Sequence, residues 1–452
     1  MGYNMSNKTM KTVLNIIFLS IVITSYAQEK PKKTFKEKLD ASLVLSYDMS
    51  YEFDSEKLQK TELILKPEFI YKFNRRSKLV FKSQIYSEFQ DNLETGTPRE
   101  TMVSNFSKRL FIDDKTSLEL REFYFYTRFK NKLRVTIGKQ QIVWGETDGL
   151  KLLDIVNPQN FRRFILEDFE DSRIPLWSVK TEFDINAIGV QLIWIPDNTY
   201  HITQDFDAPY FTKNLFKALP NGVAMEFRQV QRPERFFKDS DIGIKLTTFA
   251  KGWDLSLNYL YHYDDLPVFY NTLSQFNSVP TITISPKYER QHTLGGTFNK
   301  VIGSSTFRGE LVYVFNQNFS SNNPNANSAV EKSNVYKSAL GIDYIKGEYV
   351  FSAQLFNEWI TEDIIPFNRD RFETNATFLA SKEMLNDNLK AEILWVHSMN
   401  NKDGFITPSL NYWLNSNTQL ILKSHLFYGK DQFLFGQFTN RNNVSFGFKW
   451  GI

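Results

Sequence analysis

The chain has five histidines, His201, His262, His292, His397 and His425, and no cysteine. Hydrolytic or acyl-transfer chemistry needs a histidine within reach of a nucleophile and an orienting acid. His262, with Asp264 and Asp265 just after it, is the one stretch that brings a histidine and acids together. Histidine beside acids in a polar segment is ordinarily hydrated surface. No HExxH pair and no glycine-rich phosphate loop occurs. The expectation is no catalytic residue, no metal site and no cofactor.

Residues 144–174 read WGETDGLKLLDIVNPQNFRRFILEDFEDSRI, far more apolar than a solvated loop. Leu150, Leu152, Leu153, Ile155 and Val156 form one cluster, and Phe161, Phe164, Ile165 and Leu166 a second. Such a loop must be buried, either folded into the barrel interior as a constriction or packed as a cap on the rim loops. The spacing of Phe161, Phe164 and Ile165 allows a short amphipathic helix. Loop 197–239 carries further aromatics, Phe206, Tyr210, Phe211, Phe216 and Phe227, that could join it.

Strands position this segment. Residues 39–53 place Leu39, Ala41, Leu43, Leu45, Tyr47, Met49, Tyr51 and Phe53 on one parity; Asp40, Ser42, Ser46, Asp48, Ser50 and Glu52 hold the other. Period-2 alternation over 15 residues is a strand with one apolar and one wet face, much longer than the ~5–6 residues usual in soluble sheets. The pattern recurs at 61–73, 78–90, 117–129, 132–143, 175–185, 187–196, 240–249, 252–263, 286–299, 304–316, 335–345, 348–360, 372–382, 388–398, 405–415, 417–429 and 442–452. That makes 18 strands, with 16 open under other boundaries. Every second connection is short, whereas 144–174 and 197–239 span 31 and 43 residues. This is the layout of a transmembrane antiparallel up-and-down β-barrel, all-β, with short periplasmic turns and long extracellular loops. Pro67 and Pro408 fall inside predicted strands, where a missing N–H should interrupt the ladder.

Composition agrees. Seventy aromatics in 452 residues exclude disorder. The net charge of +3 gives no reason to expect nucleic acid as a partner. Past the N-terminus no run approaches the ~20 apolar residues of a spanning helix. A sandwich or propeller would need shorter strands or a blade repeat, and a TonB-type transporter a separate plug and ~22 strands.

At the N-terminus, Lys8 and Lys11 precede an apolar run from Val13 to Ile23, then Ser25-Tyr26-Ala27. This predicts a signal peptide over 1–27 cleaved near Ala27, a periplasmic tail at 28–38 and one barrel domain over 39–452. With no thiol to lipidate, a lipoprotein is not expected. The last segment, 442–452, resembles the strand read by the outer-membrane assembly machinery, although it ends Trp450-Gly451-Ile452. The wet parity carries charges of both signs, among them Asp48, Glu52, Lys66, Lys245, Glu310, Lys337, Asp343 and Lys423, so no ion preference follows.

Residues 138–146, GKQQIVWGE, followed by Asp154, Asn157-Pro158 and Arg173-Ile174-Pro175, resemble an outer-membrane β-barrel family known only as a domain of unknown function. It is porin-like and distantly similar to alginate-export barrels. Gly138, Gln140, Trp144, Gly145, Glu146, Asn157 and Pro158 match its motif; Lys139 stands where arginine is frequent. The resemblance implies transport, and members beside resistance-nodulation-division-type exporters imply an envelope export partner and hydrophobic cargo.

Gln140, Trp144 and Glu146 share parity with Arg134 and Thr136 and should line the lumen. Glu146 and Asn157 can bond loop backbone, and Pro158 stiffens the turn. With Gly145, Asp154 and Arg173 these are the candidate loop-anchor and lumen residues. The expected protein is a channel in the outer membrane of a Gram-negative bacterium, amid lipid and lipopolysaccharide, narrowed where 144–174 folds inward. A non-transport scaffold or adhesion protein on the same barrel is the alternative.

Overall fold

The computed structural model describes residues 37–98, 100–130, 132–147, 150–166, 169–205, 208–212, 223–276, 279–323, 325–367 and 369–452. The predicted signal peptide, its cleavage point near Ala27, nearly all of the 28–38 tail, and Phe206 and Phe216 lie outside the described residues.

Among the described residues, eighteen strands form one closed antiparallel ring. In chain order they are Leu39–Glu52, Lys57–Lys72, Ser77–Glu88, Thr116–Arg128, Arg134–Gln140, Leu176–Ile185, Ile188–Ile195, Asp241–Ala250, Trp253–Tyr263, Arg290–Ile302, Ser305–Ser320, Val330–Lys346, Tyr349–Ile360, Phe372–Met384, Leu389–Ser398, Asp403–Asn415, Thr418–Tyr428 and Asn443–Gly451. Each pairs with its sequence neighbour, and the last pairs with the first, from Val44↔Gly451 to Glu52↔Asn443. Closure satisfies every strand edge, the condition for crossing a membrane with strands.

The alternation read from the sequence decides which face looks outward. Leu257 and Leu311 are 53% and 57% exposed, while the next residues along the wall, Asn258 and Glu310, are 2% and 0% exposed. The apolar face is therefore outside and the polar face inside, the reverse of a soluble sandwich. Hairpins at one rim are tight, with Asn186, Gly252, Gly303 and Gly347 at positive φ, as the twist of two-residue turns demands. The other rim carries longer connections with strands of their own: Leu110–Asp113, and a small sheet of Ala224–Phe227, Val268–Phe276 and Val279–Lys287.

Both prolines stay within strands. The ladder skips Lys66-Pro67 between Leu65↔Ile85 and Glu68↔Lys82, and skips Thr407-Pro408 between Ile406↔Leu426 and Ser409↔Lys423. Register is the same on both sides of each gap, so neither proline makes a bulge. The missing N–H removes a local bond and shifts nothing.

Inside, the turn-side half is wet: the Lys72–Asp40 pair (2.5 Å) is more than half exposed. The loop-side half is filled by apolar clusters. One gathers Leu93, Tyr210, Val396, Phe405, Phe427, Phe435 and Phe438; another Ile142, Trp144, Val156, Leu176, Ile193, Ile195 and Leu260; a third Leu153, Val312, Val314, Val335 and Ile360. Each contains, or packs against, residues of the 142–166 stretch.

Candidate functional site: the 141–175 segment and the cavity beside it

The strand Arg134–Gln140 ends three residues earlier than its alternation suggested. Gly138 sits at φ +133°, and a Cβ there would lie 2.2 Å from the Phe123 carbonyl oxygen, so only glycine fits. Lys139 and Gln140 beyond it are both buried. Gln140 Nε2 donates to the carbonyls of Thr136 (3.4 Å) and Ser178 (3.3 Å). Arg134 lies at the turn end, 3.6 Å from Asp184 and away from the other candidates.

Trp144 is 1% exposed and donates its indole N–H to Gln191 Oε1 at 2.8 Å. The wall makes room for it, since a Cβ on Gly243 would lie 2.7 Å from Trp144 Cη2. In the same way a Cβ on Gly295 would lie 2.5 Å from Leu153 Cδ2. Gly145 packs against Asp154 and Glu310. The Glu310 carboxylate then accepts three backbone N–H groups: Glu146 at 2.5 Å, Thr147 at 2.9 Å and Leu153 at 2.8 Å. Glu146 thus bonds through its backbone; its carbonyl also accepts from Arg308 Nη1 at 3.0 Å, while the residue itself is exposed. Lys245 donates to the Trp144 carbonyl at 3.3 Å.

Asn157 closes the base of the segment. Its Oδ1 accepts from the Ile142 N–H (2.6 Å) and its Nδ2 donates to the Ile174 carbonyl (2.8 Å). The Pro158 carbonyl accepts the Ile174 N–H at 2.8 Å, and Asp154 pairs with Arg173 at 2.6 Å. Apart from Arg134, the candidate residues fall in one connected patch.

Beyond Pro158 the contacts change character. Arg162 pairs with Glu100 (2.9 Å), which with Glu94 also holds Arg109. Burial alone would raise the Glu94 carboxyl, but Arg162 and Arg109 override it and hold it at about 2. Arg163 pairs with Glu62 at 3.1 Å and lies 4.3 Å over the Tyr86 ring. Phe164 packs on Phe438 (4.8 Å) and stacks on Tyr210 (6.1 Å) from loop 197–239. The short helix that the spacing of Phe161, Phe164 and Ile165 allowed does not form: these residues make turns, with Phe164 at φ +54°, and the helical turn comes later, at Phe169–Ser172. Ring packing and ion pairs fix this stretch better than one helical turn could.

Glu310 belongs to the eleventh wall strand and Glu62 to the second, nine apart in a ring of eighteen. One segment therefore touches opposite walls. On one side lies a cavity of about 1010 Å³, faced by Leu150, Leu152, Ile155, Phe161, Phe164, Ile165 and Leu166 of the segment and by Arg308, Lys337, Asp343, Glu358 and Arg369 of the wall and loops. It extends to Ile345 and Val350, beside the turn at 347–348. On the other lies a space of about 130 Å³ among Lys60, Glu62, Lys66, Glu119, Arg121, Arg163 and Asp171.

Residues 71–420 match the model of a family described as a protein of unknown function, DUF1302. The chain belongs to the DUF1302 family. No curated protein matches this DUF1302 chain. Among solved structures it is similar to OccAB2 of Acinetobacter baumannii (TM-score 0.53, 10% identity, 93% of this chain and 99% of that one). It is also similar to the outer membrane protein opdK of Pseudomonas aeruginosa (0.51, 9%, 92% and 99%) and to OccK5 (OpdH) of the same organism (0.50, 10%, 92% and 98%). At such identities the likeness is one of fold, and the fold is that of outer-membrane porin barrels.

His201 and His262 are bonded within the fold. His201 Nδ1 accepts the Gln159 N–H at 2.9 Å, and burial, with Lys151 and His262 nearby, lowers its pKa to about 3. His262 Nε2 lies 3.1 Å from Thr293 Oγ1, away from its sequence neighbours Asp264 and Asp265 in hydrogen bonding. Sequence reasoning did not single out Glu62, Arg163, Gly243 or Gly295, and treated Glu310 as one lumen charge among many.

Proposed function

We propose that this DUF1302 chain is an outer-membrane channel in which the 144–174 segment folds into the lumen and narrows it, leaving a side passage for a small or amphipathic solute. The observation that carries the reading is the pair of carboxylates, Glu310 and Glu62, nine strands apart and bonded to the same segment. A stretch tied to opposite walls supports the reading that it crosses the lumen. The passage it leaves has an apolar side from the segment and a charged side from the wall, so an amphipathic solute meets compatible surface on both. The wall charges are paired, as in Arg308–Asp343 (2.8 Å) and Lys337–Glu358 (3.2 Å), which gives neither ion sign a strong preference.

In this reading Gln140, Trp144, Gly145, Glu146, Asn157, Pro158 and Arg173 anchor the segment away from the solute, Asp154 anchors it at the edge of the passage, and the chain is not an enzyme. The loops face outward, strand 442–452 is recognised by the assembly machinery, a leader over 1–27 directs export, and hydrophobic cargo would come from an envelope export system. The distant likeness to alginate-export barrels belongs to the same proposal.

The test is single-channel conductance of refolded 28–452 in a planar bilayer, beside a variant with 148–172 replaced by a Gly/Ser linker. The expected outcome is a small conductance for the parent and a several-fold larger one for the variant. Equal conductances would remove the constriction, and two silent proteins would remove the channel.

A further inference from the structure

Beyond the channel itself, one turn of the 196–240 connection lies on the outside of the barrel. Trp194 is next to last in the strand Ile188–Ile195 and pairs in register with Ile242, which is half exposed on the outer face. Phe237 stacks on Trp194 (6.0 Å, 14° between planes) and Phe236 meets it edge-on (5.5 Å, 84°). The turn is clamped there. Ser240 Oγ accepts the Trp194 indole N–H at 2.9 Å and donates to the Phe237 carbonyl at 2.9 Å. Buried Asp239 accepts from the Arg235 backbone N–H (2.9 Å) and the Tyr263 hydroxyl (3.1 Å). Arg290, lying 4.0 Å over the Tyr263 ring, donates to the Ser240 carbonyl at 2.8 Å.

So held, Phe237 is 78% exposed and Phe236 49% exposed, continuous with the apolar outer band. A rigid turn that presents two phenylalanines outward is unfavourable in water and favourable at a membrane boundary. The sequence around the rings is Arg235-Phe236-Phe237-Lys238. The Arg235 side chain is 68% exposed, and Lys238 is exposed on the other flank. Asp239 takes the Arg235 Nε at 3.3 Å, and the other acid in the turn, Glu234, is exposed one residue outside the cations.

We propose that this turn is a binding site for a phosphate-bearing glycolipid, lipopolysaccharide, with its acyl chains against Phe236, Phe237 and Trp194 and its phosphates on Arg235 and Lys238. Apolar rings between two cations reproduce in reverse the layout of a phosphorylated lipid at its headgroup boundary. Lipopolysaccharide is chosen over phospholipid because the turn lies at the rim of long loops. The proposal rests on the channel reading only for the direction that rim faces.

The experiment measures binding of purified lipopolysaccharide, and of the same material dephosphorylated, to the refolded full barrel in detergent. Parent, Arg235→Ala/Lys238→Ala and Phe236→Ala/Phe237→Ala proteins are compared, with folding checked by heat-modifiable gel migration. The charge variant should weaken binding of phosphorylated lipopolysaccharide by roughly tenfold and leave the dephosphorylated form unchanged; the aromatic variant should weaken both. Unchanged affinity in the charge variant overturns the site. So does equal competition by phosphatidylglycerol vesicles, which would make the turn a general anionic-surface contact. Conductance of the same preparations reports on the channel separately, so a silent barrel that binds lipopolysaccharide would sink that reading and keep this one.

Discussion

The two spaces flanking the segment differ in kind. The larger one sets apolar side chains of the segment against paired charges of the wall and runs to the turn rim. The smaller one is crowded with charge: Lys60 bonds Asp48 (3.0 Å) and Glu62 (3.1 Å), Arg163 bonds Glu62 (3.1 Å), Arg121 bonds Glu119 (3.1 Å) and Lys66 bonds Asp171 (2.5 Å). A space filled with mutually bonded charges suits a strut, because a solute entering it would have to break ion pairs, those of Glu62 buried from water. Under the proposed channel reading, the contrast gives passage to the large space and fixation to the small one.

The two ends of the segment repeat the contrast. Before Pro158 it is held by backbone N–H groups, by Asn157 and by wall glycines that admit Trp144 and Leu153. After Pro158 it is held by side-chain ion pairs and ring stacking. Breaking the first attachment should free the face that lines the passage. Glu310→Ala removes the acceptor of three N–H groups, and bonds to a charged acceptor are worth about 1.5–3 kcal/mol each. The expected outcome, the largest among the point variants, is a several-fold rise in single-channel conductance and rapid amide exchange at 146, 147 and 153. Parent-like conductance would mean that Glu310 braces a segment already fixed elsewhere.

Breaking the strut should do something else. Arg163→Met leaves Glu62 buried with only Lys60 and the Tyr86 hydroxyl (3.0 Å) to answer its charge. Removing one partner of a buried pair costs about 3–5 kcal/mol. The chain should lose roughly that stability to chemical denaturation while its conductance changes less than about twofold. A large conductance change with little loss of stability would exchange the roles of the two spaces.

These roles were unequally visible beforehand. Strand existence, number and face were legible because lipid outside and water inside impose period 2 on every crossing, and all eighteen predicted strands have counterparts in the ring. The motif residues from Gln140 to Arg173 were picked out as a group by the family resemblance, and parity and turn chemistry suggested that they anchor the loop. What they bond to was not. Glu310 and Glu62 are single carboxylates on wet faces full of carboxylates, and their selection depends on which strands face each other across a ring. Gly243 and Gly295 were invisible for a related reason, since a wall glycine acquires its purpose only when Trp144 or Leu153 arrives from far along the chain. The short helix that spacing allowed around 161–165 does not form, because spacing alone cannot weigh one helical turn against Arg163 on Glu62 and Phe164 among four aromatic rings.

The smallest effect tests whether the large space carries the solute. Lys151 lines it, bonded to Gln159, to Ser172 (3.3 Å) and, across 3.7 Å, to Asp154. Burial lowers its pKa to about 8; Asp154 opposes the shift and Arg173 adds to it. Below pH 8 the lumen therefore carries this positive charge, and raising the pH through 8 removes it. Cation preference, read from reversal potentials, should rise modestly across that window, and Lys151→Met should show the high-pH preference throughout. Between pH 8 and the ordinary lysine value the folded chain binds fewer protons than the unfolded one, so stability should rise with pH there as well. If ions instead took the small space, selectivity would not respond to Lys151 at all, and the stability change would remain alone.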